Sequence, residues 1–315
     1  MNKYLKILSI FALLFGSMKV HGQGSWVPNP YEVYWFTDMV HSLTWLEQNS
    51  WWFTPCDGGG SGGPGGPSGP CGPVNPSNPS SVTNLTIMTY NIAKNKYFRN
   101  GRVIARSGAD VCAVQEIVTL FGGYSRLKDR ADMNGSFLYT LPEAFYGIAI
   151  LWKPSLGKPT INTRIVTTPH GTHDRQRGFI IAEWSNFIVV STHFPTGSDA
   201  DKNKMKSEIL NHNKIKCRKK PAFIAGDLNM WPGSNILLQF TYSTYGFVIL
   251  NDTSRDPDDN SKFLHPTHSS GAILDYVLGC KKYPTKYNVI DKGIPDVPEL
   301  DFSLSDHLPY FVKLE

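Results

Sequence analysis

The stretch Phe223-Ile224-Ala225-Gly226-Asp227-Leu228-Asn229 decides how this sequence is read. A short apolar run leads straight into a carboxylate, and an amide follows two residues later. Such a run, bounded by polar turn formers, has the texture of a buried strand that presents chemistry at its end. The same pattern recurs along the chain. Asn91 closes Thr89-Tyr90-Asn91, Glu116 closes Val114-Gln115-Glu116, and His193 closes Val189-Val190-Ser191-Thr192-His193. Asp275 lies near the start of another run, and Asp306 and His307 immediately precede the last. If the last two strands run antiparallel to the others, all these groups gather at one edge of the sheets. A lone strand-end Asp is usually a turn former and a lone His is usually just hydrogen-bonded. Six such ends in one chain are harder to dismiss.

Outward from these ends, strand-length apolar runs are expected at 85–92, 111–114, 147–152, 179–184, 187–192, 223–225, 273–278 and 309–314. Helical spacing is expected around 102–108 and 199–216, where Met205, Ile209 and Leu210 would form one buried stripe. Many short strands with few helices imply an α/β fold of packed sheets flanked by helices. The basic run Lys216, Arg218, Lys219 and Lys220 reads as a solvated helix end rather than a nucleic-acid patch.

The first third of the chain has a different texture. Lys3 and Lys6 precede an apolar run at 7–15 and then small residues, so residues 1–22 read as a secretory signal peptide and the protein as secreted. Residues 23–56 form an aromatic-rich segment, and 57–81 a Gly/Pro/Ser linker. The catalytic domain is expected at 82–315. The pattern Gly59-Gly60-Ser61-Gly62-Gly63 lacks the strand and helix that a hydrolase nucleophile needs. The net charge of +5 falls to +2 without residues 1–23, so any preference for phosphate must come from a site rather than from the global field. At 41% hydrophobic and 18% charged, the chain is not wholly disordered. Five cysteines suit an oxidising compartment, with Cys56–Cys71 and Cys217–Cys280 as conceivable pairs and Cys112 as a core residue. Asn84, Asn134 and Asn251 each begin a glycosylation sequon.

The strand-end groups make a coherent chemistry. Glu116 and Asp306 are hard oxygen ligands suited to Mg²⁺. Asn91 and Asn229 orient a ligand or a phosphate oxygen without adding charge, and Asp275 suits the role of fixing the tautomer of His307. His193 then serves the opposite side of an in-line displacement at phosphorus. The pairs His265/His268 and His170/His173 mimic a metal-ligand spacing but read as loop histidines.

Taken in order, Thr89-Tyr90-Asn91, Gln115-Glu116, Ser191-Thr192-His193, Gly226-Asp227-Leu228-Asn229, Leu274-Asp275-Tyr276 and Ser305-Asp306-His307-Leu308-Pro309 resemble the endonuclease/exonuclease/phosphatase family, which is DNase I-like. The resemblance covers about residues 83–315. It implies a four-layered α/β sandwich and a divalent-metal-dependent phosphoric ester hydrolase, using Mg²⁺ or else Mn²⁺ or Ca²⁺. It assigns metal binding to Asn91, Glu116 and Asp306, catalysis to His193, Asp227, Asp275 and His307, and phosphate contact to Asn229. Arg177 precedes a strand where many members place a phosphate-contacting Arg. DNase I-like members also place a carboxylate near the position of Tyr146-Gly147 to brace the first histidine, and none is found there. The stretch 269–276 looks especially like the nuclease subunit of cytolethal distending toxin. The implied substrate is a phosphodiester, with nucleic acid favoured and phospholipid or phosphoinositide second. No stable protein partner is inferred. A non-catalytic binding scaffold is the remaining alternative, and the complete polar set argues against it.

Overall fold

The computed structural model describes residue 82 and residues 84–315, apart from 94–95, 120–121, 142–145, 169–175, 217–219, 243–245 and 281–286. The leader, aromatic-rich segment and linker, the Cys56–Cys71 pair, Cys217 and the His170/His173 pair therefore lie outside the described residues.

Among the described residues, twelve strands form two six-stranded sheets. The first sheet contains β1 (Leu85–Asn91), β2 (Val111–Val118), β3 (Asn134–Leu141), β4 (Tyr146–Trp152), β11 (Val289–Gly293) and β12 (Tyr310–Leu314), in the order β11-β12-β1-β2-β4-β3. The second contains β5 (Thr160–Thr167), β6 (Gln176–Glu183), β7 (Ile188–His193), β8 (Ala222–Asp227), β9 (Phe247–Ile249) and β10 (Asp275–Cys280), in the order β5-β6-β7-β8-β10-β9. Helices α1 (Tyr97–Arg106) and α2 (Gly123–Ala131) cover the first sheet. Helices α3 (Asp199–Asn211), α4 (Asn213–Lys216) and α5 (Asn235–Tyr242) cover the second. The result is the expected α/β sandwich, with helix, sheet, sheet and helix as its layers.

Strands β1, β7 and β8 are buried along their whole length because each has one face on a helix and the other on the opposite sheet. In β1, Ile87 points to the inter-sheet core with Val189, Phe223 and Val277. Its neighbours Met88 and Tyr90 belong to the cluster under α1 and α2. Met205, Ile209 and Leu210 are buried as expected, packing against the second sheet. The Ser198 hydroxyl caps α3 by accepting from the Asp201 N–H, and Asp199 and Asp201 place negative charge in its first turn. The single helix expected over 199–216 breaks at His212, which leaves helical conformation with ψ 132° before α4 begins.

The last strand of each site-bearing pair does run antiparallel: β12 to β1, and β10 to β8. Cys112 is a buried free thiol in β2. Asn251 is buried, donating to the Asp275 carbonyl and accepting from the Val277 N–H, so its sequon is structural rather than a modification site. Among the described residues, no helix is long and apolar enough to cross a membrane.

Candidate active site

Strand pairing alone places much of the site. Gly178, His193, Asp227 and Asp275 lie in one row across β6, β7, β8 and β10, each the registered partner of the next. In the facing sheet Asn91 pairs with Gln115 across β1 and β2. Glu116 does not close its strand, as the sequence suggests; β2 continues to Val118. The register against β4 shifts between Val114 and Ile117, so Glu116 sits in a bulge with φ 60°. A bulge swings a side chain out of the regular alternation, and here it sets the Glu116 carboxylate beside the Gln115 that pairs with Asn91. Asn229 also has positive φ, at 49°, a conformation asparagine tolerates better than most residues.

Asp227 Oδ2 is the hub. It accepts from the Asn91 amide at 3.0 Å, and the Nε2 atoms of His193 and His307 lie 3.5 Å and 3.7 Å from it. Its other oxygen accepts from the Asn229 backbone N–H at 2.9 Å. His307 Nδ1 is 2.8 Å from Asp275 Oδ2. The Asn229 amide donates to the Phe194 carbonyl at 3.0 Å, which fixes its orientation and leaves its nitrogen 3.3 Å from His193 Nε2. The His307 backbone N–H donates to Ser305 Oγ, which in turn donates to the Asn91 carbonyl. Two of these bonds, Asn91 to Asp227 and His307 to Asp275, cross from one sheet to the other.

Asp227, Asp275, His193 and His307 are all buried. Burial and the adjacent Asp275 push the Asp227 carboxyl up to about 7, against the pull of His307 and of the bonds from Asn229 and Asn91. Burial opposes charge on His307. Its bonded partner Asp275, with Asp227 and Asp306, nevertheless pushes it up to about 10. The cluster thus favours charge on the His307 imidazole and disfavours it on the Asp227 carboxyl.

Glu116 is half-buried within β2, and Asp306 is exposed in the segment that leads into β12; both strands neighbour β1, which ends at Asn91. Two accessible carboxylates around a neutral amide fit a hard divalent cation that keeps some of its waters. The Asn91 side-chain oxygen accepts from the Ala93 N–H at 3.1 Å, so the amide as it stands bridges backbone and Asp227. Arg177 is buried in β6, directly before the Gly178 that pairs with His193.

With this geometry in place, comparison with known proteins is informative. Residues 88–307 match the Endonuclease/Exonuclease/phosphatase family. The chain belongs to that family. Members of the endonuclease/exonuclease/phosphatase family are phosphoric ester hydrolases and generally use divalent metals. An endonuclease/exonuclease/phosphatase from Bacteroides vulgatus superposes with a TM-score of 0.59 at 18% identity, covering 74% of this chain and 99% of that one. The human Nocturnin catalytic domain with bound sulfate gives 0.57 at 17% identity, covering 75% and 96%. ANGEL2, a 2′,3′-cyclic phosphatase in complex with adenosine-2′,3′-vanadate, gives 0.58 at 16% identity, covering 74% and 95%. No curated protein matches the sequence. The narrower resemblance to the toxin nuclease rests on sequence motifs alone.

Three site neighbours escaped the sequence reading. The Tyr146 hydroxyl lies 3.3 Å from His193 Nδ1, where DNase I-like relatives are expected to use a carboxylate. The hydroxyl of Ser305 ties two site loops together. His268, read as a loop histidine, packs its ring edge-on to His307 with centroids 4.7 Å apart, and its Nε2 is 3.7 Å from Asp306. Burial and the neighbouring His307 hold the His268 pKa below its ordinary value. His268, Asp306 and His307 form a cluster of potential metal ligands, as do Asp227, Asp275 and His307. In the sequence, Tyr146-Gly147 stands out only for the carboxylate missing there, and Ser305 only as the opening of the motif that carries Asp306 and His307.

Proposed function

We propose that this hydrolase is an exported Mg²⁺-dependent phosphodiesterase acting on nucleic acid. The observation that carries the chemistry is the approach of both His193 and His307 to a single Asp227 oxygen. Glu116, Asp306 and Asn91 would hold the cation, which when bound supplies positive charge at a non-bridging phosphoryl oxygen. Asn229 donates to another phosphoryl oxygen from an amide already oriented by Phe194. Asp227, raised to about 7 by burial and Asp275, accepts a proton from the attacking water. His307 carries its proton to the leaving oxygen, and the Asp275 bond keeps Nδ1 engaged so that Nε2 faces the substrate. His193, braced by Tyr146, completes the opposite wall.

Nucleic acid as substrate is supported by two features. Trp231, two residues beyond Asn229, is 58% exposed, and an exposed indole of this kind stacks on bases. Of the relatives above, ANGEL2 was solved with an adenosine vanadate. The apolar leader in 1–22 supports export. A lipid phosphoester is the second reading, favoured by the nine aromatic residues in 24–55. Purified protein incubated with Mg²⁺ or EDTA on plasmid DNA, bis(p-nitrophenyl) phosphate, sphingomyelin and phosphoinositides decides between them. EDTA-sensitive nicking of plasmid is the expected result; turnover of lipid alone overturns the nucleic-acid reading, and silence on all four overturns both.

A further inference from the structure

His268 is placed against the catalytic pair by backbone geometry. His268 and His307 are partners in an isolated antiparallel bridge. The flanking bonds run from the Ser269 N–H to the Asp306 carbonyl and from the Leu308 N–H to the Thr267 carbonyl. A pair framed in this way is the non-hydrogen-bonded kind, whose side chains stand close together on the same face. The two rings accordingly meet edge to face. The segment has little freedom to move away. Thr267 Oγ1 accepts from the backbone N–H groups of Leu274 and Asp275, and the N–H groups of Thr267 and His268 both donate to the Ala272 carbonyl. One short loop is therefore laced to Asp275 on one side and to Asp306 and His307 on the other.

The tautomer of His268 follows from its partners. The Ser270 backbone N–H donates to His268 Nδ1 at 3.1 Å, and a backbone N–H has no other role. Nδ1 therefore accepts, and the ring proton of the neutral imidazole sits on Nε2. The Ser270 hydroxyl, 2.7 Å from the same nitrogen, adds to the lock. His268 Nε2 stands 3.7 Å from Asp306 Oδ2, longer than an ordinary hydrogen bond. An Nε2–H donor is thus held at the partly exposed mouth of the site, beside His307 and Asp306. This arrangement also argues against His268 as a metal ligand, which would need Nε2 stripped of its proton and Nδ1 turned into a donor against another donor.

We propose that His268 is a substrate-binding residue whose Nε2–H donates to an oxygen of the phosphoryl group held beside His307. The inference rests on the phosphoesterase reading of the site and adds a contact to it. Its test begins with the wild-type protein, so that it does not depend on turnover. In ¹⁵N-labelled protein with Mg²⁺, His268 is expected to show the Nε2–H tautomer, and inorganic phosphate should shift its Nε2 resonance. An Nδ1–H tautomer, or an Nε2 signal indifferent to saturating phosphate, overturns the proposal whether or not any ester is hydrolysed. Kinetics with bis(p-nitrophenyl) phosphate supply the second arm. His268→Ala and His268→Phe should each raise KM and the inhibition constant of inorganic phosphate about tenfold, the loss expected for one hydrogen bond to a charged acceptor. His268→Gln, which carries an N–H near the position of Nε2, should recover most of that loss. The half-saturating Mg²⁺ concentration should stay put in all three. A shift in Mg²⁺ requirement without a change in phosphate inhibition would make His268 a metal ligand and overturn the assignment.

Discussion

At the scale of single residues, the two histidines differ in their supports. His307 leans on a buried carboxylate and His193 on a tyrosine hydroxyl. Replacing either by alanine should cut turnover roughly a hundredfold or more while leaving the melting transition cooperative. Near-full activity in both purified variants would remove them from the reaction. The support of His307 has a signature in pH. Its folded pKa of about 10 lies above the ordinary 6.5, so the native state holds the proton more tightly than the unfolded chain. The charged ring therefore stabilises the fold in full below about pH 6.5, and that contribution is lost as pH rises through about 10. In EDTA, Asp275→Asn should lower the His307 titration measured by NMR. The stability gap between wild type and variant, from denaturant melts, should narrow from pH 6.5 to pH 10. A gap independent of pH would mean that the pair is not ionised as described.

At the scale of elements, Glu116 and Gly226 show what the strands give up to present the site. Glu116 occupies the left-handed region at φ 60°, where a side chain costs about 1 kcal/mol. Glu116→Gly relieves that strain while losing backbone entropy of similar size, so its melting temperature should stay near wild type. Its Mg²⁺ requirement should rise, as should that of Glu116→Gln. Unchanged metal dependence in both would take Glu116 out of the site. Gly226 lies opposite Thr192, and a Cβ there would come within 2.0 Å of the Thr192 carbonyl oxygen. Gly226→Ala should therefore destabilise the protein by about 2 kcal/mol or more, because backbone in the middle of a sheet cannot step aside. Denaturant melts will measure it.

The legibility of elements followed their position in the sheets. The eight strands expected from apolar runs are the interior ones, each paired on both sides and largely buried. The four that the sequence does not announce, β3, β5, β9 and β11, are the four sheet edges. An edge strand is paired on one side only and carries polar residues that break the apolar signal; β5 is exposed at five of its eight positions. Helices α2 and α5 were equally silent, one strongly polar and the other short.

For the whole molecule, the site belongs to neither sheet. Asn91, Glu116 and the loop bearing His307 come with the first; His193, Asp227 and Asp275 come with the second. What aligns them is the inter-sheet core of Ile87, Val189, Phe223, Val277 and their neighbours. Activity and structure should accordingly be lost together: in a urea titration, turnover and far-UV circular dichroism are expected to trace one transition. Turnover that fails well before the dichroism would mean instead that the site opens locally, in a region less stable than the sheets that carry it.

From its own order of residues, the chain determined that carboxylates, amides and histidines gather at or near the ends of apolar strands, because interior strands and turn formers leave local signatures in composition. It also determined the family, through six short motifs met in sequence. The row of registered partners, the bulge under Glu116, the tyrosine behind His193 and the ring of His268 against His307 were decided only by tertiary structure. Each of these depends on pairing between segments tens of residues apart, and a side chain carries no local mark of the partner it will meet across a sheet.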